Sequence, residues 1–306
     1  MNRLKVKGIW VPVLSPQKED LSIDLDRLFD HLDWLFGHKI HGIVLFGTNG
    51  EATSFSVAER KAVLEAICNK GIQNEKVMVG TGCCALSDTV ELSIHALELG
   101  YEHHLVLPPF YYKQPSQKGL MNNYSEIIQR VGQDALKVYL YNFPQLSGIN
   151  LDGELVGYLM ERFPDNVVGY KDSAGDWNQT LEIMERNPNI TMFPGSEIFL
   201  SRVLEVGGAG VITGTGNVNP GMVKKTYDAF FHDPEEAALL QEKINQFRKV
   251  IQKYPLIGAL KQMMAHYGQD RQWLNLRPPL IALSESEGAA LIDSIDGIDF
   301  NLKADT

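Results

Sequence analysis

The chain has 306 residues, of which 44% are hydrophobic and 22% charged, a composition typical of a globular protein rather than a disordered one. Its net charge of −10 argues against binding to nucleic acids or to anionic membranes. The cysteines Cys68, Cys83 and Cys84 lack disulfide or zinc spacing, and no stretch resembles a signal peptide or reaches the ~20 apolar residues of a membrane helix, so we expect a cytoplasmic protein.

The first part of the chain alternates between strand and helix patterns. Residues 7–14 are β-rich and end in a Ser-Pro pair, and residues 24–39 carry apolar side chains at the three-four spacing of an amphipathic helix. Residues 42–46 are apolar without alternation, as is typical of a parallel strand covered on both faces. A helix over residues 56–70 follows, because Ser56 and Glu59 have the spacing of a capping box.

The same strand-helix unit recurs along the chain. Six further strands are predicted at residues 76–79, 103–107, 137–141, 166–171, 190–193 and 209–213. The helices between and after them are predicted at residues 87–99, 116–131, 151–162, 176–187, 197–206 and 220–231. Eight strands, each followed by a helix, predict an α/β fold of the (β/α)8 TIM barrel type.

The pattern changes near residue 234, after which strands are no longer predicted. Residues 235–254 and 256–267 have helical patterns. We therefore predict two parts, a (β/α)8 barrel of residues 1–232 and a C-terminal helical extension of residues 233–306 that packs on the barrel.

The sixth strand ends in a lysine, which is an unusual last residue for a strand. Because side chains alternate along a strand, Val167, Gly169 and Lys171 are expected to point the same way, and Gly169 leaves space beneath the amine. Inside the mouth of a barrel, burial disfavours a charged amine, and the neutral amine is the form that attacks ketones. The alternative for this stretch alone is a solvated lysine at a strand end.

Other chemically distinctive residues follow the ends of predicted strands, which is where the active site of a TIM barrel lies. Along the chain they are Thr48 and Asn49, Tyr111 and Tyr112, Tyr141, the run Gly195-Ser196-Glu197, Thr213, and the turn 214–216. Each has an ordinary explanation as turn chemistry or packing. Their convergence around one lysine favours an active site.

Three motifs have the order and spacing of a known family. They are Gly47-Thr-x-Gly-Glu51, Tyr141-Asn-x-Pro144 and Gly169-x-Lys171-Asp-Ser. Together with Pro108-Pro-Phe-Tyr-Tyr112 and Gly195-Ser-Glu197, they resemble the dihydrodipicolinate synthase and N-acetylneuraminate lyase family of pyruvate-dependent class I aldolases, over essentially the whole chain. The resemblance implies that Lys171 forms a Schiff base with pyruvate or another 2-oxo acid, without a cofactor and without a metal.

The resemblance also implies roles for the neighbouring residues. Tyr141 resembles the family's proton-shuttling tyrosine, Thr48 the hydroxyl that relays protons to it, and Tyr112 the tyrosine that completes the relay across a subunit interface. We therefore expect a homotetramer, a dimer of dimers. The substrate carboxylate is expected on the backbone amides of Thr48 and Asn49. The other expected substrate contacts are Gly195, Ser196, Glu197 and Thr213.

Two positions depart from the family pattern. Asn49 stands where the lyase and the synthase have a hydroxyl residue, so it can bind a carboxylate but cannot relay protons. Leu146 stands where synthases have an arginine for the carboxylate of the incoming semialdehyde. We therefore favour cleavage or condensation of a sugar acid, N-acetylneuraminate or 4-hydroxy-2-oxoglutarate. The alternative is a synthase in which another cation, such as Arg277 or a lysine from a neighbouring subunit, replaces the missing arginine.

Three rival interpretations remain. The run from Gly80 to Ala85 fits a loose dinucleotide-binding fingerprint, but the acidic residue expected about twenty positions later, at the end of the next strand, is missing, because that strand ends in Pro108-Pro109. A metal-dependent aldolase would need clustered ligands, whereas His103 and His104 are adjacent on a strand and face opposite ways. A barrel that binds a 2-oxo acid without catalysis is disfavoured by Tyr141 and Thr48, because binding alone requires no proton shuttle.

Overall fold

The computed structural model describes residues 6–298. It contains eight parallel strands in one sheet, with the spatial order β7-β6-β5-β4-β3-β2-β1-β8. The strands are β1 (Gly8–Pro12), β2 (Gly42–Leu45), β3 (Val77–Gly80), β4 (His103–Val106), β5 (Lys137–Asn142), β6 (Val167–Asp172), β7 (Thr191–Pro194) and β8 (Gly210–Ile212). The Ala209 N–H donates to the Met192 carbonyl at 2.9 Å, which brings the two ends of the sheet together. The predicted TIM barrel is confirmed.

Helices alternate with the strands and continue after the last one. The helices of the barrel are α1 (Leu25–Gly37), α2 (Val57–Lys70), α3 (Leu86–Glu98), α4 (Gln117–Val131), α5 (Pro144–Ser147), α6 (Gly153–Arg162), α7 (Trp177–Arg186), α8 (Leu200–Glu205) and α9 (Pro220–His232). The C-terminal helices are α10 (Pro234–Ile251), α11 (Leu256–Tyr267) and α12 (Glu285–Asp296). The single-turn α5 and helix α12 were not predicted. None of the helices in residues 6–298 is both long and apolar enough to cross a membrane.

The C-terminal helices pack beside the end of the barrel where the strands run into loops. Leu14 follows β1 and Val218 follows β8, and both belong to one buried cluster with Phe247, Leu260 and Leu291 of α10, α11 and α12. The predicted division at residue 232 coincides with the end of α9 and stays a prediction as a domain boundary. Residues 1–5 and 299–306 of the two predicted ranges lie outside the described residues.

Strand β6 contains an irregularity that changes which side chains face the barrel interior. Its pairing with β5 shifts by one residue, because Val167 pairs with Val138 whereas Gly169 pairs with the next residue, Tyr139. A bulge of this kind adds one residue and interrupts the alternation of faces. Val167 therefore packs outward in the cluster beneath the helices, and the prediction that it faces with Gly169 and Lys171 was wrong.

The interior of the barrel is filled by large side chains below the strand ends. Trp10, Met78, Tyr139 and Phe193 belong to this inner cluster. The space expected at Gly169 is occupied by the Tyr139 ring, since a β-carbon there would lie 2.1 Å from Tyr139 Cδ1. The barrel is thus a packed core, and open space for a ligand begins only above this layer.

Candidate active site

The centre of the site is a pair of neighbouring residues on β5 and β6. Tyr141 and Lys171 are register partners across the two strands. The Lys171 side chain is buried, with 3% of the residue exposed, and its Nζ lies 4.1 Å from the centroid of the Tyr141 ring. Parallel pairing therefore places an amine against the face of a phenol at the carboxyl end of the barrel.

A hydroxyl from the turn after β2 extends this pair. Thr48 Oγ1 and Tyr141 Oη share a hydrogen bond of 3.0 Å. In the part of the chain that the structure describes, no hydrogen bond from the backbone N–H of Thr48 or of Asn49 is observed. A phenol bonded to a threonine hydroxyl can pass a proton, and the two open N–H groups can receive an anion. The arrangement joins an amine, a proton path and two hydrogen-bond donors that can bind a carboxylate.

These groups line one cavity of about 360 Å3. Of the predicted site residues, Lys171, Tyr141, Thr48, Asn49, Gly195 and Ser196 line it. The Asn49 amide lies against the backbone opposite, because a β-carbon at Gly214 would be 2.1 Å from Asn49 Nδ2. Ser196 Oγ is buried and has no hydrogen-bond partner among the described residues. Six predicted residues from four strand ends are thus brought together.

Two predicted substrate contacts, Glu197 and Thr213, lie behind the cavity wall rather than on it. Both are fully buried, Thr213 Oγ1 donates to Glu197 Oε2, and neither lines the cavity. Glu197 Oε2 also lies 3.4 Å from Nη1 of Arg248 on α10, and Arg248 does line the cavity. Their direct contact with substrate therefore stays a prediction, whereas their contact with a lining residue is seen.

Tyr112 is not brought to the cavity within a single chain. It is 78% exposed, and its ring meets that of Tyr111 edge to face at 5.5 Å between centroids. Its expected contribution to the site of a neighbouring subunit stays a prediction. A side chain can reach the site of a neighbouring subunit only if it is exposed on its own subunit, and both rings are exposed.

The two residues considered for binding a second carboxylate are also away from the cavity. Leu146 on α5 is 59% exposed and does not line it. Arg277 does not line it either, because its guanidinium donates to the Ser54 carbonyl at 2.7 Å, to Glu59 and to the Leu21 carbonyl. The suggestion that Arg277 replaces the missing arginine was therefore wrong. Among the described residues, the basic residue that lines the cavity besides Lys171 is Arg248. Sequence reasoning missed it because its helix returns to the barrel mouth only through tertiary packing.

The turn that carries Thr48 and Asn49 is held from behind by a buried ion pair. Glu51 has a left-handed backbone with φ 53°, which is uncommon for a residue other than glycine. Its Oε1 lies 2.5 Å from Lys261 Nζ on α11, and its Oε2 accepts from Gln17 Nε2 at 2.8 Å. Lys261 also donates to the Asn275 carbonyl at 2.9 Å. The C-terminal helices thereby fix the loop that lines the cavity.

We expect Glu51→Gln to destabilise the protein by roughly 3 to 5 kcal/mol, because it leaves the fully buried Lys261 without its counter-charge. Burial already lowers the pKa of Lys261, so the unpaired amine is expected to lose its proton rather than remain charged. Urea unfolding of the wild type and the variant gives the difference in the free energy of unfolding.

A surface ion pair supplies the matched control for that experiment. Glu182 and Arg186 pair on α7 at 3.0 Å with both side chains exposed, so Glu182→Gln should change the free energy of unfolding by less than about 1 kcal/mol. Combining Glu51→Gln with Lys261→Met should restore part of the loss, since the double variant buries no unpaired amine that must give up its proton. Equal effects of the Glu51 and Glu182 variants would contradict the structural role of the buried pair.

The histidines considered as metal ligands and the first glycine of the dinucleotide-binding pattern have structural roles in the barrel. His103 Nδ1 lies 3.4 Å from Tyr139 Oη, His104 Nε2 lies 2.9 Å from the Tyr101 carbonyl, and burial lowers the pKa of each histidine to about 4. Gly80 is required because a β-carbon there would lie 2.1 Å from the Phe46 carbonyl oxygen. Within residues 6–298, no group of three or more His, Cys, Asp and Glu side chains is arranged to hold a metal ion.

Comparison with known proteins places the whole chain among related sequences. A family model described as the dihydrodipicolinate synthetase family matches residues 5–297. The chain is 34% identical over 287 residues to a protein of Chloroflexus aurantiacus named as an uncharacterized DapA-like lyase, covering 93% of this chain and 94% of that one. It is 28% identical over 286 residues to a 4-hydroxy-tetrahydrodipicolinate synthase of Thermoanaerobacter, covering 91% and 92%.

Solved structures give the same result for the fold. Dihydrodipicolinate synthase from Agrobacterium tumefaciens superposes with a TM-score of 0.85 at 29% identity, covering 95% of this chain and 99% of that one. The prophage protein YagE of E. coli K12, solved in complex with pyruvate, superposes with a TM-score of 0.87 at 25% identity, covering 96% and 99%.

Proposed function

The chain belongs to the dihydrodipicolinate synthetase family, and from this premise we propose that it is a class I lyase or aldolase that acts on a 2-oxo acid through a Schiff base on Lys171. The observation that carries the proposal is the contact of Lys171 with Tyr141, with Nζ 4.1 Å from the ring and the phenol bonded to Thr48. Relatives named as a lyase and a synthase, and a neighbour solved with pyruvate, support it.

The geometry supports the following sequence of bond changes. The neutral amine of Lys171 attacks the ketone carbon of the 2-oxo acid to give a carbinolamine, and a proton donated to its hydroxyl by Tyr141 lets water leave, so that a cationic iminium remains. A base removes the proton from the hydroxyl at carbon four, the bond between carbons three and four breaks, and its electrons move to the iminium to form an enamine. The aldehyde leaves. A proton returned to carbon three and hydrolysis then release pyruvate and the free lysine.

Tyr141 is the residue best placed to move these protons. Its phenol lies beside the amine and shares a proton-capable hydrogen bond with Thr48, so it can alternate between donor and acceptor as the iminium forms and decays. The open N–H groups of Thr48 and Asn49 would hold the carboxylate next to the ketone. Asn49 provides no hydroxyl, so the relay in this chain runs through Thr48. In the proposed homotetramer it would continue to Tyr112 of a neighbouring subunit.

The substrate that we favour is a 2-oxo acid with a hydroxyl at carbon four, from the sugar-acid, sialic-acid or hydroxy-oxoglutarate class. Leu146 supports cleavage over dihydrodipicolinate synthesis, since leucine cannot bind the carboxylate of a semialdehyde. A synthase remains the second candidate, because Arg248 provides a cation elsewhere in the cavity. Condensation of pyruvate with aspartate semialdehyde would then be efficient, whereas we expect it to be weak or absent.

The direct test is reduction of the imine in the presence of pyruvate and borohydride. We expect mass spectrometry of the digested protein to find one pyruvate-derived adduct, on Lys171. Lys261 is an internal control, because it is also buried but is paired with Glu51 and does not line the cavity. No adduct, or an adduct on another lysine, would contradict the proposal. An adduct without turnover of any 4-hydroxy-2-oxo acid, with pyruvate release coupled to a dehydrogenase, would indicate the non-catalytic binding barrel.

A further inference from the structure

We propose that Arg248 binds the end of the substrate remote from the 2-oxo acid group, and that this end carries an anion, either a carboxylate or a phosphate monoester. This inference rests on the proposed function, because it concerns the second half of the same substrate. It names the chemical class of that half, which the three family motifs leave open.

The first step is the position of the guanidinium. Arg248 comes from α10 of the C-terminal extension, yet it lines the same cavity as Lys171. Its side chain is 17% exposed, so it is largely withdrawn from bulk water but still reachable from the cavity. Gln252, directly after α10, and Leu256, the first residue of α11, line the cavity beside it. The cavity therefore extends from the lysine on the barrel to a wall made by the C-terminal helices.

The second step is the number of donors that Arg248 has left. A guanidinium has five N–H donors. The structure shows one hydrogen bond from it within residues 6–298, from Nη1 to Glu197 Oε2 at 3.4 Å, and its buried Nε has no partner there. This single, long hydrogen bond leaves most of the guanidinium N–H groups without a partner among the described residues. An arginine fork matches the two oxygens of a carboxylate or the oxygens of a phosphate.

The third step is how firmly this side chain is held. Glu197 is fully buried and also accepts from Thr213 Oγ1, so the carboxylate that orients Arg248 is itself fixed. Gln241, two turns earlier on α10, donates to the Glu197 carbonyl at 3.0 Å and accepts from Ser201 Oγ at 2.8 Å. Helix α10 is thereby fastened to the segment after β7. Glu197 acts as a positioning residue, and Arg248 is the group that would meet the ligand.

The fourth step is that the described part of the chain offers a polyhydroxylated end no carboxylate oxygen in this cavity that is free of other hydrogen bonds. Asp172 is the acidic residue that lines the cavity, but both of its oxygens are already engaged. Oδ1 accepts from the Ala174 N–H at 3.0 Å, and Oδ2 accepts from Thr180 Oγ1 at 2.8 Å. A chain of hydroxyls needs acceptors as well as donors, whereas an anion needs donors alone. The unused donors of Arg248 therefore favour an anion.

The test uses pairs of 2-oxo acids of equal length that differ only in their far end. The carboxylate pairs are 2-oxoglutarate with 2-oxopentanoate, and 2-oxoadipate with 2-oxohexanoate. The phosphate pair is 2-keto-3-deoxy-6-phosphogluconate with 2-keto-3-deoxygluconate. For each compound, the concentration that gives half-maximal borohydride trapping on Lys171 is measured in the wild type, Arg248→Gln, Arg248→Lys and Lys249→Gln. Pyruvate trapping by each variant reports whether the site is still assembled.

We expect the wild type to require roughly 10- to 100-fold less of the anionic member of at least one pair, the usual range for a hydrogen-bonded charge. Arg248→Gln should bring that ratio to about one, and Arg248→Lys should keep part of it because the charge remains without the fork. Lys249→Gln removes an exposed charge from the same helix and should keep the full ratio. The pair that shows the preference distinguishes a carboxylate from a phosphate.

Two results would overturn the inference while leaving the proposed function intact. One is a wild type that traps pyruvate on Lys171 but shows no preference within any pair. The other is an Arg248→Gln variant in which both members of a pair weaken equally, which is the result of a purely structural contact with Glu197. A wild type that traps no 2-oxo acid at all would overturn the proposed function and, with it, this inference.

Discussion

Replacement of Lys171 by arginine is expected to abolish both the pyruvate adduct and turnover. Arginine keeps the charge and much of the length of lysine, but its guanidinium is not neutral near pH 7 and cannot attack a ketone. Turnover should therefore fall by several orders of magnitude, as for other enzymes that lose their nucleophile. The measurements are borohydride trapping with pyruvate and pyruvate release from a 4-hydroxy-2-oxo acid.

The control for this substitution must separate lost chemistry from lost folding. Lys171 is buried against Tyr141, so a bulkier head group can disturb packing at the ends of β5 and β6. Lys171→Met, which removes the amine without adding volume, should also abolish trapping and should unfold at a urea concentration close to that of the wild type. Turnover retained in a well-folded Lys171→Met variant would remove the Schiff-base mechanism from this protein.

Much of the fold could be predicted from the sequence because a barrel repeats one local pattern. Each parallel strand is covered on both faces and so runs apolar, and each following helix shows its buried stripe at three-four spacing. The bulge in β6 escaped prediction because nothing in Val167 or Val168 indicates which of them is the extra residue. Pairing with β5 decides it, and pairing is a tertiary property.

The candidate site likewise contains residues that could be predicted from local sequence patterns and residues that tertiary packing alone places. Residues at strand ends, such as Thr48, Tyr141 and Lys171, could be predicted to converge because the carboxyl ends of all eight strands meet at one face. Arg248 and Lys261 could not, since their helices carry no strand-end signal and reach the site only by packing against it. The same limit explains the wrong suggestion of Arg277. The sequence gives this arginine no evident partner, whereas in the structure its guanidinium donates hydrogen bonds to Glu59 and to backbone carbonyls.

The proton path is tested by Tyr141→Phe, which we expect to slow turnover by about 10²-fold or more, the usual loss for a positioned acid or base. The phenylalanine ring can keep the contact with Lys171 Nζ, so the fold and the cavity should persist, and pyruvate should still be trapped on Lys171, though slowly.

Thr48→Val removes the hydroxyl that bonds to the phenol and should also slow turnover. Because both changes interrupt one path, the double variant should lose less than the product of the two single losses.

Tyr139→Phe provides the matched control on the same strand. Tyr139 faces the barrel interior two residues before Tyr141, but it does not line the cavity, and its hydroxyl meets only His103 among the described residues. Losing that hydroxyl should therefore leave the rate of turnover within about threefold of the wild type, since no proton of the reaction passes through it. If Tyr139→Phe and Tyr141→Phe slow the enzyme equally, the loss arises from packing of the barrel interior. If Tyr141→Phe turns over at the wild-type rate, another group moves the proton.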